Sequence, residues 1–533
     1  MEERRYDVVI IGGAFSGSAA AILLRRLRPE CRVLVVERKA EFDEKVGEAT
    51  TEMSAMFLTR RLGLWEHLER EHLPKEGLRY WFVNDRVSGH ADAGETGGFL
   101  RSAVPAFQLR RDALDEHMLA TARESGAEVL RPASVRDVQL ADFDSRVTIE
   151  HAGERFVARC RWVLDASGRA TFLSTRLGLF EWNDAHPIAA AWARWTDLGH
   201  IDDLAARGPA HLARGNVGSR RLATNHYMGR GHWTWVIPLG NGQTSIGVVW
   251  DKRLVDLHKS PRLRDDYREF LLANPALREL LDGASMRDED FRSLSRAAYR
   301  SKQYMGRGWA LLGDAASFID PYYSPGLDHA AFTVEATCAI LAREARGKSI
   351  EADIAEHNTA FDRSYRCFFE AVYRDKYRYM GERDLVSAAF LMETAQYYLF
   401  VVMYAYRALG RFFWMPVLAQ RRAHLSFLLM RFSHRRFVRI ADRRHRLGRT
   451  GANNDRRRVK VYFNLGAAPA RMLAKGLGMW LRAELGNAAL LIGSMFRRTT
   501  PQPAPFPHEP MAEPKALTTD QTAQTPSHAA AAR

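Results

Sequence analysis

Residues 6–37 read YDVVIIGGAFSGSAAAILLRRLRPECRVLVVE, and this stretch decides the fold class. An apolar β-type run leads into the glycine turn GGAFSG at residues 12–17, which is followed by an apolar helical run and a second β-type run. A strand, a glycine turn, a helix and a strand in this order predict a βαβ unit that binds a dinucleotide.

The glycine turn lets the backbone approach a pyrophosphate, which the helix N-terminus can then bind. Ala14 occupies the second glycine position of the G-x-G-x-x-G pattern, so its methyl group is expected to crowd the phosphate slightly. Glu37 lies 20 residues after Gly17, where a carboxylate can accept hydrogen bonds from a ribose diol. By itself this segment indicates FAD or NAD, and its predicted binding residues are Gly12, Gly13, Ala14, Ser16, Gly17, Glu37 and Arg38.

Length, cysteine content and the N-terminus limit the class of protein. A chain of 533 residues with 46% hydrophobic content can bury a large core, in two or three modules. The four cysteines lie far apart with no C-x-x-C pair, so we expect neither a zinc site nor a disulfide framework, and no metal ion. Residues 1–9 are charged and enter a strand directly, which argues against a signal peptide. These features predict a reducing, cytoplasmic setting.

The chain is basic, with 78 Lys+Arg against 63 Asp+Glu and a net charge of +15. Such an excess fits nucleic acid, anionic lipid or an acidic protein partner, and equally a solvated basic face. Much of it lies after residue 400, in stretches such as Arg435-Arg436 and Arg456-Arg457-Arg458. We expect no nucleic-acid partner, and the anionic surface of a membrane remains an alternative to simple solvation.

The segment pattern predicts three parts. Residues 1–345 form a dinucleotide-binding module that includes a sheet-rich substrate region at about 76–110 and 185–300. Residues 346–498 are predicted to be helical, and the Pro/Ala/Thr/Gln-rich tail 499–533 is predicted to be disordered.

Two apolar stretches in the C-terminal third raise the question of membrane contact. Leu385 to Tyr406 is interrupted by Glu393, so we interpret it as a buried or interfacial helix rather than a membrane span. Leu485 to Phe496 is short and precedes Arg497-Arg498, which suits an anionic surface. The hypothesis is peripheral attachment to the inner membrane surface, with ordinary helix packing as the alternative.

Two further motifs favour FAD over NAD. Asp165-Ala166-Ser167-Gly168 and Gly313-Asp314-Ala315, in this order after the glycine turn, resemble motifs of the flavin monooxygenases and related reductases. The resemblance implies that Asp314 binds the ribityl chain of the flavin. Arg111 matches the family's arginine near the FAD linker.

Four other segments resemble the flavin-dependent halogenases, over residues 6 to about 340. They are Val46-Gly47-Glu48-Ala49-Thr50, Leu73 to Tyr80 with Lys75 at the position of the active-site lysine, Trp233-Thr234-Trp235-Val236-Ile237-Pro238, and Phe318 to Gly326. The alternatives are a solvated lysine and two core aromatics that share one face of a strand.

The resemblance implies a fold, a cofactor and a chemistry. The fold class is α/β, with a Rossmann-type FAD-binding domain, an inserted antiparallel β-sheet substrate domain and a helical C-terminal region. A separate flavin reductase supplies reduced FAD, and oxygen then oxidises chloride or bromide to hypohalous acid, as in secondary metabolism. Lys75 directs the hypohalous acid to a small aromatic substrate, while Trp233 and Trp235 fill the space near the flavin. Further cofactor residues are Glu48, Ala49, Thr50, Arg111, Asp314, Pro321, Gly326 and Leu327.

Two residues depart from the family pattern. Tyr323 stands where the tryptophan-specific halogenases have a glutamate, which favours a phenol or pyrrole, free or tethered to a carrier protein. Halide is expected at Pro325 and Gly326, but Pro325 has no N–H to donate. A lost hydrogen bond to an anion costs about 1.5–3 kcal/mol.

Other functions remain open from the sequence alone. The same fold and cofactor suit a monooxygenase, dehydrogenase or reductase that acts on an apolar or membrane-held substrate, and Pro325 and the basic C-terminus favour it. A non-catalytic flavin-binding or membrane-scaffolding protein is a third hypothesis, which leaves the combined motifs unexplained.

Overall fold

A computed structural model of the chain describes residues 2–98, 104–207, 219–257, 262–403, 405, 424–461 and 466–496. The predicted βαβ unit lies at the centre of a first sheet. Its parallel strands run in the order Trp309–Leu311, Glu154–Asp165, Glu2–Ile11, Val33–Val36 and Glu128–Leu130. Met305–Gly306 adds an antiparallel edge, and the hairpin strands Ala133–Gln139 and Ser145–His151 extend from Glu154–Asp165.

The register of this sheet brings three sequence motifs to one edge. Ile11 pairs with Asp165, which pairs in turn with Leu311, so the glycine turn and both aspartate motifs follow neighbouring strand ends. Backbone hydrogen bonds from Ala166 to Ile11 and from Leu312 to Asp165 extend this register beyond the strands. Ligands of open parallel sheets bind outside these carboxyl ends, and the Rossmann-type prediction is confirmed.

Three helices cover the first sheet on the side of the glycine turn: Phe15–Leu27, Arg111–Glu124 and Gly326–Glu344. They pack against each other through side chains that the sequence marks as apolar, including Ala20, Leu24, Leu119 and Val334. The glycine turn is therefore held between a buried strand and a buried helix.

The second sheet has nine strands. They run in the order Ser285–Met286, Ile188–Thr196, Thr244–Asp251, His232–Pro238, Thr224–Gly229, Leu78–Phe82, Gly94–Gly98 and Arg458–Val461, with Arg292–Leu294 beside Ile188–Thr196. The predicted antiparallel order holds for the strands between residues 188 and 251. The strands of two more distant segments pair in parallel instead, Thr224–Gly229 with Leu78–Phe82 and Arg458–Val461 with Gly94–Gly98.

The C-terminal helices Arg383–Tyr397, His424–Arg446 and Ala468–Phe496 share a core with one face of the second sheet, whereas Glu351–Phe368 packs beside Met305–Gly306 of the first sheet. Side chains such as Phe390, Leu391 and Met392 share a core with Tyr80 and Trp233 of the sheet. Arg383–Val402 is long and apolar enough to cross a membrane, but 72% of its apolar window is buried inside the protein. This agrees with the prediction of a buried helix; Tyr406 and the tail 499–533 lie outside the described residues.

The strand Arg458–Val461 departs from the prediction that residues 346–498 are helical. Val459 and Val461 alternate with charged residues and turn into the core, which is the pattern of a half-buried edge strand. Its first residue, Arg458, joins Arg79 and Arg220 around the buried carboxylate of Glu95. This buried ionic cluster attaches the C-terminal region to the second sheet.

The remaining elements are short. The other helices are Glu52–Met56, Trp65–Glu71, Phe172–Arg176, Ile201–Ala206, Leu263–Ala273 and Pro275–Leu280, with π-helical turns at Phe57–Arg61, Phe369–Tyr373 and Tyr398–Val402. Single 3₁₀ turns lie at Gly168–Ala170, Asp288–Asp290, Gly313–Ala315 and Lys376–Arg378. Small strand pairings join Phe180–Trp182, Tyr299–Ser301 and Ser317–Phe318, and also Leu73–Pro74 and Phe107–Gln108.

Candidate active site

The glycine turn has the geometry of a pyrophosphate cradle. Gly12 has φ +99°, and a Cβ there would lie 2.6 Å from the Ala166 carbonyl oxygen, so only glycine fits. A side chain on Gly17 would overlap the Gly12 carbonyl, which explains the close contact of strand and helix. Ala14 precedes the helix in an extended conformation with φ −72°, so this position does not require glycine and tolerates a methyl group.

The acidic residue of the βαβ unit is held by the turn itself. Gly13 N–H donates to one carboxylate oxygen of Glu37 at 2.7 Å, and Lys39 N–H donates to the other at 2.8 Å. Arg38 is exposed beside it. The helix that starts at Phe15 has no side-chain cap, so its first N–H groups lack intrahelical acceptors and can bind an anion.

Several positively charged residues lie near Asp314, which follows another strand end of the same sheet edge. Burial raises the pKa of the Asp314 carboxyl, whereas the positive charges of Arg169, Arg111 and Lys45 oppose that effect. Arg111 donates to both oxygens of Asp115, at 3.2 and 3.1 Å, and its buried Nε has no hydrogen-bond partner among the described residues. A buried carboxyl group and an unpaired Arg111 donor at this edge of the sheet fit the polar chain of a dinucleotide, so the residues present suit FAD.

Lys75 is buried, although it follows the short strand Leu73–Pro74 in a charged loop. Its Nζ donates to the Thr50 carbonyl oxygen at 2.6 Å, which joins the lysine segment to the Val46–Thr50 segment. Burial lowers the pKa of Lys75 to about 8, and the charges of Glu52 and Asp328 limit that shift. The solvated-lysine alternative is therefore wrong.

A cavity lies in front of Lys75, with about 1120 Å³ of empty space counted out to its opening. The first 345 residues supply Thr50, Lys75, Tyr323 and Pro325, and the C-terminal helices supply Phe390, Glu393, Tyr397 and Met430, among others. Most of this lining is apolar or aromatic.

Trp233 and Trp235 lie in the layer of aromatics within the core that the sheet shares with the C-terminal helices. They share one face of their strand with ring centroids 5.9 Å apart, and Trp233 also contacts the ring of Tyr322 at 5.3 Å. Trp235 Nε1 donates to Ser245 at 3.1 Å. The described lining of the Lys75 cavity includes neither indole, so the proposed role beside the flavin stays a prediction.

A chain of hydrogen bonds connects the tryptophan motif Trp233 to Pro238 with the motif Phe318 to Gly326, which are far apart in the sequence. Trp233 Nε1 donates to Tyr377 OH at 2.9 Å, and Tyr377 OH donates to Asp320 at 2.9 Å. His186 bonds the same Asp320 oxygen at 2.7 Å, and Tyr322 N–H donates to the other at 2.8 Å. Asp320 therefore fixes the turn that precedes the predicted halide residues.

That turn is conformationally unusual. Tyr323 and Ser324 have φ +74° and +57°, so two consecutive non-glycine residues adopt the left-handed region. Pro325 then precedes the helix Gly326–Glu344 without a side-chain cap. The first N–H groups of that helix, from Gly326 onward, point out of its N-terminus.

Halide binding at Pro325 and Gly326 stays a prediction. Pro325 has no N–H to donate, but the N-terminus of the following helix offers N–H groups that can bind an anion. Of the neighbouring residues, Pro321 is partly buried and Leu327 is in the core of the first sheet. Ala49 bridges Gln108, and Glu48 accepts a hydrogen bond from Arg194 at 2.6 Å. Contacts of Glu48, Ala49, Thr50, Pro321, Gly326 and Leu327 with FAD stay predictions.

Sequence reasoning missed three residues of the cavity region, Glu393, Lys376 and Tyr377. Glu393 counted only as an interruption of an apolar stretch, yet it lines the cavity and accepts from Tyr323 OH at 2.6 Å. Lys376 is fully buried and pairs with it at 2.8 Å. The available signal was a single charged residue in the apolar stretch from Leu385 to Tyr406, because a buried charge needs a partner.

The fold and the site together define a flavoprotein whose buried lysine faces a substrate cavity. The family model described as Tryptophan halogenase matches residues 7–87 and 82–378. The chain therefore belongs to this family of flavin-dependent halogenases, and it is an FAD-dependent enzyme that uses halide.

Similar proteins agree with this assignment. The chain is 27% identical to a flavin-dependent halogenase of Dictyostelium discoideum over 74% of this chain and 69% of the relative. It is 29% identical to the 1H-pyrrole-2-carbonyl-[peptidyl-carrier protein] chlorinase of Pseudomonas fluorescens, over 70% of this chain and 82% of the relative. The crystal structure of halogenase PltM with phloroglucinol and FAD has a TM-score of 0.65 at 20% identity, over 90% of this chain and 96% of that one.

Proposed function

We propose that the enzyme halogenates an electron-rich aromatic ring of phenol or pyrrole type. The observation that carries the proposal is the buried ammonium of Lys75, which faces a largely apolar cavity. A pyrrole-type relative and a structural neighbour in complex with phloroglucinol support this substrate class. The substrate is either free or tethered to a carrier protein.

When bound, reduced FAD would react with oxygen and so supply the oxidising power that converts halide to hypohalous acid. Lys75 then places the halogen. As an ammonium it donates a hydrogen bond to the oxygen of hypohalous acid, and as an amine it forms a haloamine; a pKa of about 8 makes both forms accessible near neutral pH. The apolar and aromatic lining of the cavity suits the ring of an aromatic substrate.

Trp233 and Trp235 contribute by packing rather than by chemistry. Their indoles are buried, and each N–H is bonded to a protein hydroxyl. Their rigid layer supports the turn at Tyr322, and we infer that it limits the substrate to the lysine side of the protein. The enzyme then favours halogenation over direct hydroxylation.

The test is a mass-spectrometric product analysis with and without bromide. Purified enzyme receives FAD, a flavin reductase with NADH, oxygen, and either phloroglucinol or a carrier-bound pyrrole-2-carboxylate. The expected product contains bromine only when bromide is present. A product that gains one oxygen and no halogen would instead establish a monooxygenase.

We also propose that a separate flavin reductase supplies the reduced FAD, as the family resemblance implies. The same assay without the reductase should give no product with NADH alone, and chemically reduced FAD should restore it. Turnover driven by NADH alone would overturn this part.

For localisation, we propose a cytoplasmic enzyme that binds an anionic membrane surface peripherally. Large apolar side chains are exposed on the last two described helices, with Leu425 at 79% and Leu485 at 63%. Arg435 and Arg439 are exposed on the same helix as Leu425. Apolar side chains with adjacent cations suit an anionic lipid interface.

Flotation with vesicles tests the membrane proposal. Phosphatidylglycerol-containing vesicles should retain the protein, and pure phosphatidylcholine should not. The Leu425→Asn and Leu485→Asn variant should weaken binding, whereas Leu177→Asn, at an exposed leucine of another region, should not. Equal binding to both vesicle types, or none, would contradict the proposal.

A further inference from the structure

Three side chains from separate elements meet at one wall of the Lys75 cavity. Glu393 belongs to the helix Arg383–Tyr397, Lys376 to the turn Lys376–Arg378, and Tyr323 to the left-handed turn before Gly326. Lys376 Nζ donates to Glu393 Oε1 and Oε2 at 2.9 and 2.8 Å, and Tyr323 OH donates to Oε2 at 2.6 Å. The result is a carboxylate fixed by two donors.

The hydrogen bonds leave part of this carboxylate unused. A carboxylate offers about four lone-pair directions. Glu393 has three donor contacts among the described residues, two on Oε2 and one on Oε1. Its side chain is 11% exposed and lines the cavity. The fourth direction, on Oε1, is therefore open to a donor placed in the cavity.

We propose that Glu393 is the base that accepts the hydroxyl proton of a phenolic substrate during halogenation. The inference rests on the proposed function, since it needs Lys75 to present the halogen in the same cavity. A phenol that loses its proton as the ring reacts becomes a much stronger nucleophile. Glu393 thus selects substrates with an ionisable hydroxyl and orients them by that hydroxyl.

Opposing influences act on the pKa of this carboxyl, and burial is the largest of them. Burial raises the pKa of Glu393, while the adjacent charge of Lys376 and the hydrogen bond from Tyr323 act in the opposite direction. Lys376 itself lies over the rings of Tyr322 and Tyr323, at 5.3 and 4.9 Å from their centroids, which adds cation–π stabilisation. Lys376 and Tyr323 are positioning residues for Glu393.

The proton and electron balance closes within the cavity. The ring carbon forms a bond to the halogen of hypohalous acid, and the oxygen–halogen bond breaks. The hydroxide that leaves accepts a proton from the Lys75 ammonium and becomes water. The phenol proton passes to Glu393 in the same step. The ring carbon then loses its proton to the Lys75 amine, and Glu393 returns its proton to the ring oxygen. The net change is one aromatic hydrogen replaced by halogen, with one water formed.

Two other carboxylates line the cavity, and each already accepts a hydrogen bond from a neighbouring residue. Glu52 accepts from Tyr398 OH at 2.5 Å. Asp328 accepts from Thr51 OH at 2.5 Å and from Ser54 N–H at 3.0 Å, and burial raises its pKa to about 7. The charges of both carboxylates act on Lys75. Asp328 is the rival base that a test must separate.

The test compares Glu393→Gln with wild type over phenols of graded acidity. Glutamine keeps the size and one acceptor but cannot take a proton. We expect kcat/KM to fall by about 10²-fold for the least acidic phenol, the size of a lost general base. The loss should shrink to within about threefold for nitrophenols that are already ionised in the assay. A loss of the same size across the series would assign Glu393 a structural role and overturn the inference.

Matched variants keep the test decisive. Glu382→Gln changes another buried glutamate, which pairs with Arg444 at 2.7 Å outside the described cavity lining, and it should not change the dependence on phenol acidity. Asp328→Asn should likewise leave that dependence intact; if it alone removes it, Asp328 is the base. If Glu393→Gln does not fold, Tyr323→Phe, which keeps the Glu393–Lys376 pair, should show a weaker form of the same trend. Wild type that halogenates no substrate would refute the proposed function, whereas active wild type with a uniform loss refutes only this inference.

Discussion

Lys75 and Lys376 are both buried, and burial lowers the pKa of both, but only Lys376 has a carboxylate partner. Lys376 has a carboxylate partner at 2.8 Å and three tyrosine rings within 6 Å. Lys75 donates to a backbone carbonyl, and among the residues that the structure describes no carboxylate lies within ion-pair distance of it. One lysine is compensated, and the other is held at a cost in stability.

The difference separates a supporting charge from a reactive one. A buried ion pair is expensive to break but chemically quiet, because each charge stabilises the other. A buried lysine without an ion-pair partner and with a pKa of about 8 has a minor fraction of free amine near neutral pH, and such perturbed groups are typical of functional sites. The following variants test this distinction, in order of decreasing effect.

Lys75→Met should remove aromatic halogenation, with a loss of about 10²- to 10⁴-fold, the range for a positioned proton donor. Halide oxidation should continue, because no step of it uses this side chain. Product analysis measures the first effect, and a soluble hypohalite trap measures the second. Retained aromatic product would show that the halogen reaches the substrate without Lys75.

Lys376→Met should destabilise the protein by about 3–5 kcal/mol, because it leaves the buried Glu393 carboxylate without its cation. The double variant Lys376→Met, Glu393→Leu should recover much of that loss, since it removes both charges. Denaturant unfolding of the two variants gives the comparison. An equally unstable double variant would mean that packing, rather than charge, dominates at this site.

Lys75→Met should instead stabilise the fold at pH 7. A pKa lowered from 10.5 to about 8 corresponds to roughly 3 kcal/mol, which is an upper bound for the gain. The unfolded chain binds the extra proton between these two pH values, so wild-type stability rises as pH increases from 8 to 10.5. The advantage of the variant should therefore be full below pH 8 and vanish by about pH 10.5.

The pH series has its own control. Met substitution of the exposed Lys302 should leave the stability and its pH dependence unchanged. A Lys75→Met advantage that is constant from pH 7 to 10.5 would contradict the lowered pKa.

Tyr323→Phe should destabilise the protein less than Lys376→Met does, by about 1.5–3 kcal/mol for one hydrogen bond to a charged acceptor. The ring remains and continues to pack against Phe390, with centroids 5.9 Å apart. Thermal unfolding measures the change. A loss as large as that of Lys376→Met would show that the tyrosine hydroxyl, and not the lysine, holds the Glu393 charge.

The parts of the fold that sequence predicts well are those with local patterns. The βαβ unit, the tryptophan strand His232–Pro238 and the helix from Gly326 follow from runs of a few adjacent residues. Parallel pairings such as Arg458–Val461 with Gly94–Gly98 join segments that are more than 350 residues apart. No local pattern reports which distant strand a segment pairs with. The strand Arg458–Val461 therefore lies in a region, residues 346–498, that was predicted to be helical.

The candidate site divides in the same way. Lys75 was identified because its segment matches a motif, and the structure adds that Thr50 receives its hydrogen bond. Glu393 and Lys376 lie 17 residues apart in segments without a motif, and their partner Tyr323 is 70 residues from Glu393. Charge compensation between distant segments depends on tertiary packing, which periodicity and spacing do not report.

The two walls of the cavity come from opposite ends of the chain, with Lys75 in the first hundred residues and Met430 in the last hundred or so. During synthesis, N-terminal parts fold first. A nascent chain that ends near residue 345 already contains the glycine turn, both aspartate motifs and Lys75, but it lacks the helices that close the cavity. Synthesis therefore has a fixed order: the residues predicted to bind FAD are made first, and the helices that complete the cavity are made afterwards.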